Sequence, residues 1–509
     1  MNKIVSISNL SKIISKFKKE GKKIVHCHGA FDLLHIGHIN HFQEAKKLGD
    51  ILVVTVTQDK YINKGPNRPI FNLNIRMDAL AALKDIDYIA ASNFSNATQL
   101  IKTLKPNLYC KGRDFKDYNL DVTGGIKKEA LAIKSVGGIM VHTNSELYSS
   151  SKIINQSNFN LSDEQKIFLN QVKKEKNFDS QNKISDAVNS FSDLKVLVIG
   201  ETIIDEYVYC EALGKSGKEP MLVLRDMYRE KYLGGTAAIA RNLSSFCKNI
   251  TLVTNIGQKN EEKQFIRKNL EKNIETVFLN KKNSPTITKK RFIDHISKTK
   301  VFGVYSLNDE QLDVVQENAL NKKIDKLIKK HDLVIISDYG HGLISSKTAK
   351  SIIRKSKFTA VNTQLNSSNL GFHVISKYVG ANFITINETE MRHELRNKSE
   401  SRESLIKILS AKVKSKYTNV TSGSSGSLMF NKNSKKTFSC PAFANKVVDK
   451  IGTGDTMLAI LAISLFKKLD VKFCMLLSAI AAAQNIQFMA TETPIKKIDT
   501  IRALQSYLK

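Results

Sequence analysis

Apolar runs of strand length alternate with helix-period segments twice along this 509-residue chain. A polar stretch over 157–192 separates the two series. Alternation of this kind, with strands apolar throughout, predicts parallel sheets covered by helices. The first series has expected strands at 23–31, 50–57, 87–91, 107–110 and 138–142, with helices over 37–48, 72–84, 96–104 and near 150–156. The second has expected strands at 194–200, 221–227, 250–254, 276–279, 333–337, 358–361, 383–386 and 418–421. Its helices are expected at 235–247, 261–272, 311–330, 346–355, 402–415, 453–468 and 472–488. The separator is rich in Lys, Asn, Ser and Gln, carries neither Gly nor Pro, and reads as a partly helical linker. The expected organisation is two α/β domains, 1–156 and 193–509, joined by 157–192; a chain this long exceeds what one core supports.

Composition narrows the setting. No run of apolar residues reaches the 18 or so that a membrane span needs, so no membrane partner is expected. The opening Met1-Asn-Lys-Ile-Val-Ser lacks an apolar run and does not read as a secretory signal. Six cysteines, at 27, 110, 210, 247, 440 and 474, form no CxxC pair or metal-ligand spacing, which points to a reduced, cytoplasmic setting and inert thiols. The formal net charge of +31 comes from lysines scattered along the whole chain. Without a zinc-finger spacing, an RNA-binding signature or an arginine-rich arm, that charge suits anionic small substrates rather than nucleic acid.

Near the N-terminus, an expected strand runs into Gly29-Ala-Phe-Asp-Leu-Leu-His35-Ile-Gly-His38 and then a helix. Gly29 and Gly37 allow backbone to approach a ligand closely, and a helix start offers N–H groups to phosphate oxygens. His35 and His38, at i and i+3, share one face of the first turn and can stabilise charge building on a phosphorus. His26, His28 and His41 have no place in this motif and read as core or surface histidines. The full string after a strand resembles the cytidylyltransferase-like nucleotidyltransferases. The resemblance implies a Rossmann-like doubly wound domain that joins a nucleoside triphosphate to a phosphorylated small molecule and releases pyrophosphate. It assigns His35, His38 and Lys111 to catalysis. To nucleotide and phosphate binding it assigns Gly29, Phe31, Asp32, Gly37, Lys64, Arg76, Gly112, Asp114 and the run Ser149, Ser150 and Ser151. A Mg²⁺ ion bridging the triphosphate oxygens is expected.

Near the C-terminus, Asp449-Lys-Ile-Gly452-Thr453-Gly454-Asp455 opens an apolar helix. N–H groups at such a start form an anion hole for a transferring phosphoryl group, and Asp455 at its lip suits a general base toward a sugar hydroxyl. With its flanks, the motif resembles the ribokinase-like (PfkB-type) carbohydrate kinases. That resemblance implies an α/β domain with a small β-lid, and residues 205–230 are expected to supply the lid and a homodimer contact. It implies a sugar site at Asp205, Gly234, Gly235 and Asp338, and an ATP-side loop at Thr421 and Gly423. Asn387 and Glu390, three apart at a helix start, read both as a capping box and as indirect organisers of Mg²⁺. Two departures fall on the sugar side: Ala238 stands where the family has Asn, and Asn362-Thr-Gln-Leu-Asn366-Ser-Ser-Asn369 replaces an Asp-Pro-Lys-like segment.

The pairing resembles the bifunctional kinase–adenylyltransferase type of ADP-heptose synthesis with the domain order inverted. It implies ATP as substrate of both halves and a sugar phosphate, D-glycero-D-manno-heptose 7-phosphate, as acceptor. Two alternatives stay open: a CTP-dependent transferase for an alditol phosphate such as glycerol 3-phosphate, and a catalytically inactive, regulatory half.

Overall fold

The computed structural model describes residues 3–62, 68–94, 96–113, 125–144, 161–174, 180–366, 369–370, 374–444 and 447–508. The chain divides into two compact units. One comprises Met1–Lys166, Asn177–Ser185 and Ile501–Lys509; the other comprises Ile167–Lys176 and Asp186–Thr500.

In the first unit β1 (Ile24–Gly29), β2 (Ile51–Thr57), β3 (Tyr88–Ser92), β4 (Leu108–Lys111) and β5 (Ile139–His142) form a parallel sheet in the order β3-β2-β1-β4-β5. Winding runs outward from β1 in both directions, so a crevice opens where the carboxyl ends of β1 and β4 diverge. One sheet face packs Val25, Leu52, Val54 and Leu108 against Phe42, Met77 and Leu80. The other packs Ile24, Val53 and Ala90 against Leu10, Ile14 and Leu100. Fully burying each side chain of this kind contributes about 1.5–3 kcal/mol. Leu10 and Ile14 belong to helix Ile7–Lys19, which lies outside the expected alternation. Its apolar spacing at 7, 10 and 14 buries one stripe, and the Ser6 hydroxyl accepts the Asn9 N–H at 3.2 Å to cap it.

The second unit is built on nine strands. β6 (Lys195–Gly200), β9 (Asn249–Ile256), β10 (Ile274–Asn280), β13 (Leu333–Asp338), β14 (Thr359–Thr363), β15 (Phe383–Asn387) and β16 (Tyr417–Thr421) are parallel. β17 (Ser427–Asn431) and β18 (Lys436–Cys440) add an antiparallel edge. One face packs Val334, Ile336, Val361 and Ile384 against Ile324, Ile352, Leu405 and Leu409. Helices Thr453–Phe466 and Val471–Asn485 are apolar on nearly every side and buried, as that pattern demands.

A separate four-stranded sheet, in the order β12-β11-β7-β8, makes the lid. β7 (Thr202–Lys215) and β8 (Leu222–Gly235) pair antiparallel over most of their length. β11 (Thr288–Asp294) runs parallel to β7 and antiparallel to β12 (Lys300–Ser306). The lid thus extends beyond the expected 205–230, because β11 and β12 join it from a segment with no expected strand. Among the described residues, no helix is long and apolar enough to cross a membrane.

Candidate active sites

The transferase motif sits at the carboxyl end of β1. Gly29 ends the strand, and a Cβ there would lie 2.9 Å from the Phe31 ring. Phe31 adopts a positive φ of 48°, which turns the chain back over the sheet and lays its ring against His38 and Phe42. Asp32 is buried, receiving Arg68 at 3.1 Å and the Phe71 N–H at 3.1 Å. His35 is the N-cap of helix Ile36–Lys46, and its Nδ1 accepts the Gly37 N–H at 3.1 Å. The proton of the neutral ring therefore sits on Nε2, where it can be donated to a phosphate oxygen. Burial holds the His35 pKa below the ordinary imidazole value. The His35 and His38 rings stack with centroids 4.0 Å apart. Across the crevice, Lys111 ends β4 and lies 2.9 Å from Glu129 and over the Tyr109 ring. Gly112 follows it with open space where a side chain would be. Lys64, Asp114, Ser149, Ser150 and Ser151 lie outside the described residues.

Arg76 is placed differently from a ligand-facing cation. It is buried, and its guanidinium meets the carbonyls of Ala30, Thr57 at 2.9 Å and Phe71 at 2.9 Å, and Asp59 at 2.6 Å. In this position it ties the loop after β1 to the end of β2. Arg76→Met would leave buried carbonyls unpaired, so a loss of roughly 3 kcal/mol or more in urea unfolding is expected.

The kinase motif sits at the head of helix Thr453–Phe466. Gly452 is its N-cap at φ 82°, a conformation open to glycine at little cost. The next residues, Thr453, Gly454 and Asp455, form the first turn, whose N–H groups have no intrahelical acceptor. Gly454 faces open space. The Tyr339 hydroxyl donates to Asp455 at 2.7 Å. Burial raises the Asp455 carboxyl to about 6, against the Tyr339 hydrogen bond and Lys289, which lower it. Asp449, earlier in the motif, is fixed by the Tyr207 hydroxyl at 2.7 Å and Lys300 at 2.8 Å, both from lid strands.

The expected sugar side gathers around the lid's base. Gly234 lies so close to Asp205 that a Cβ would fall 2.1 Å from its carboxylate. Gly235, at φ 59°, caps helix Thr236–Ser244, in whose first turn Ala238 is buried. Asp205 pairs with Arg291 of β11, whose guanidinium lies over the Tyr207 and Tyr305 rings. Lys289, two residues earlier on the same face of β11, lies over the Tyr305 and Tyr339 rings. Its amine is lowered chiefly by burial. Asp338 points inward instead: Tyr378 donates to it at 2.5 Å, and Lys377 lies 2.5 Å away.

The departing 362–369 segment has a role in this arrangement. Asn366 and Asn369 donate to the Tyr339 carbonyl at 2.8 and 2.9 Å, while Glu201 accepts the Tyr339 N–H at 3.0 Å. The backbone of the residue touching Asp455 is therefore held from both sides. Asn387 and Glu390 form a reciprocal capping box, each bond 2.8 Å, and the second Glu390 oxygen accepts the Leu365 N–H at 3.1 Å. With its oxygens so engaged, this donor set fits a hydrated ion carried by a triphosphate rather than a direct protein cage. Thr421 ends β16 and Gly423, at φ 58°, opens the turn after it. Gly200, Asp338, Asn387 and Thr421 thus all lie at carboxyl ends of parallel strands, the edge where open α/β sheets bind ligands.

Tyr339, Lys289, Arg291 and Glu201 were not singled out in the sequence. Three consecutive basic residues, Lys289-Lys-Arg291, carry no strand alternation to signal β11, and Tyr339 directly follows Asp338, the residue at that point assigned to the sugar site.

Comparison with known proteins follows the same division. Residues 193–498 match the model of the pfkB family carbohydrate kinases, and residues 26–156 match the cytidylyltransferase-like model. "Bifunctional protein HldE" of Campylobacter jejuni (strain RM1221) is 30% identical over 293 residues, 57% of this chain and 60% of that protein. The protein of that name from Campylobacter fetus subsp. fetus is 40% identical over 115 residues, 22% of this chain and 24% of the relative. The chain thus spans about three fifths of the length of the first of these relatives. Arabidopsis thaliana ribokinase, solved with ribose and ATP, superposes with a TM-score of 0.49 at 17% identity, covering 62% of this chain and 99% of the ribokinase. With the family model spanning the larger part of its length, the chain belongs to the pfkB family of carbohydrate kinases, carrying a cytidylyltransferase-like domain ahead of the kinase domain.

Proposed function

We propose that this chain is a bifunctional transferase of nucleotide-sugar synthesis, with a transferase half at 1–156 and a kinase half at 193–509. The observation that carries the kinase reading is the Asp455 carboxylate in the first turn of a glycine-capped helix, held by the Tyr339 hydroxyl at 2.7 Å. Asp455 takes the proton of a sugar hydroxyl as that oxygen attacks the γ-phosphorus of ATP, and the Gly452–Gly454 backbone steadies the transferring phosphoryl group. Thr421 and Gly423 contact the nucleotide. Asp205, with Gly234 and Gly235, orients the acceptor, whose own phosphate suits the cations Lys289 and Arg291. In the transferase half, His35 and His38 donate to the triphosphate while a sugar 1-phosphate attacks its α-phosphorus, and Lys111 balances the charge. Asn387 and Glu390 of the kinase half would help to hold a Mg²⁺ ion, which would supply further charge neutralisation.

The acceptor we propose is D-glycero-D-manno-heptose 7-phosphate, phosphorylated at C1; a separate phosphatase then removes the 7-phosphate, and the transferase half adenylylates the heptose 1-phosphate. Incubating the full chain with ATP and that sugar is expected to yield ADP, and incubating it with ATP and the matching heptose 1-phosphate is expected to yield pyrophosphate. ADP without pyrophosphate, restored by CTP and glycerol 3-phosphate, would redirect the transferase half to an alditol phosphate.

The kinase pH profile checks the role of Asp455. A base must be ionised, so ADP release is expected to fall as pH drops through about 6. Tyr339 donates to the ionised form. Tyr339→Phe should therefore move this acid limb upward by about one pH unit. An unmoved limb would mean that another group titrates.

A further inference from the structure

Cys27 and Cys110 are register partners on β1 and β4, neighbouring strands of the parallel sheet. Partners in a parallel pair project to the same face, and both thiols are buried there. Two buried thiols alone are ordinary core packing. The third member changes the chemistry: His41, from helix Ile36–Lys46 above that face, brings a ring nitrogen among the two sulfurs. One ligand atom from each of the three lies within 4.8 Å of the other two. Among the described residues, no other Cys, His, Asp or Glu side chains group this tightly.

The imidazole is oriented as a ligand would be. His41 Nδ1 lies 2.9 Å from the Thr143 hydroxyl, which itself donates to the Lys111 carbonyl at 3.4 Å. The hydroxyl proton goes to that carbonyl, so Nδ1–H is the donor to threonine and Nε2 keeps its lone pair. A metal-ligating histidine is ordinarily fixed by such a bond from its other nitrogen. Two thiolates and an imidazole are a soft donor set that selects zinc-like ions over Mg²⁺ or Ca²⁺. In a tetrahedral site with these ligands the donor atoms stand about 3.5 Å apart, so small side-chain rotations close the cluster. His41 is only partly buried, which leaves an entry path and a fourth position for water.

We propose that Cys27, Cys110 and His41 form a binding site for one thiophilic divalent cation, Zn²⁺ in chemical class. Binding replaces the two thiol protons, which pass to solvent, by two sulfur–metal bonds with no change of oxidation state. The cation fastens helix Ile36–Lys46 to β1 and β4. His38, one turn before His41, lies on that helix, so occupancy steadies the His35–His38 pair. The site stands on its own three residues and does not depend on the activity proposed above.

The test uses the full chain, kept reduced, stripped of metal and free of nucleotide. Titration with Zn²⁺ against a chromophoric chelator is expected to show one tight equivalent and proton release. Titration with Co²⁺ should give the thiolate-to-cobalt charge-transfer absorption of a tetrahedral complex. Cys27→Ser/Cys110→Ser should lose both signals. Because that variant alters the core, Thr143→Val serves as the second probe. It should weaken Zn²⁺ by roughly tenfold or more without moving the metal-free melting temperature. The proposal is overturned if the reduced chain takes up no more Zn²⁺ than the double serine variant. It is equally overturned if the cobalt complex lacks thiolate absorption, or if Thr143→Val binds Zn²⁺ as the parent does.

Discussion

Asp455→Asn is expected to slow ADP release from ATP and a sugar phosphate by roughly 10²- to 10⁴-fold, the range a positioned general base contributes. The substitution keeps the size of the side chain and can still receive the Tyr339 hydroxyl, bonded at 2.7 Å in the parent. It removes the capacity to take a proton from an alcohol. Asn has no carboxyl to titrate, so the residual rate should also lose its acid limb near pH 6. Coupled assay of ADP over a pH series reads both effects. Pyrophosphate release from ATP and synthetic sugar 1-phosphate should be unaffected, because that reaction belongs to the other unit. An unchanged ADP rate would remove Asp455 from the chemistry.

His38→Ala should act in the opposite sense: pyrophosphate release falls by roughly 10²- to 10³-fold and ADP release is spared. His38 stacks on His35 at 4.0 Å and presents its edge to Phe31. Its loss therefore removes one donor and loosens the partner ring. His38→Gln, which retains a donor and much of the volume, should recover part of the rate. Equal thermal melting of the two variants would assign the loss to chemistry rather than to folding. If pyrophosphate release survives His38→Ala, the histidine pair is structural.

The parts of both sites that were legible in the sequence are local. A glycine after an apolar strand, a histidine at a helix start, and Gly-Thr-Gly-Asp before an apolar helix each specify backbone geometry within a few residues. His35 as N-cap and Gly452 at positive φ express those local demands directly. The same locality explains the capping box at Asn387 and Glu390, whose spacing is enough to write both hydrogen bonds. Arg76 shows where local reading stops. A charged residue in a helix looks available to a nucleotide, but the guanidinium closes on carbonyls 5, 19 and 46 residues away in sequence. Helix Ile7–Lys19 was missed for a simpler reason: its apolar stripe, Ile7, Leu10, Ile14 and Phe17, lies within a lysine-rich segment.

The alternation of strands and helices and the two phosphate motifs were determined by sequence alone, because periodicity and turn chemistry are properties of neighbouring residues. Only the tertiary structure brought Arg291 onto Asp205, 86 residues away, and Tyr339 onto Asp455, 116 residues away. Only strand register set Cys27 beside Cys110 beneath His41. The Asp205–Arg291 and Cys27–Cys110 pairings depend on which strands lie side by side and on their offset. A shift of one residue would turn each of these side chains to the opposite face.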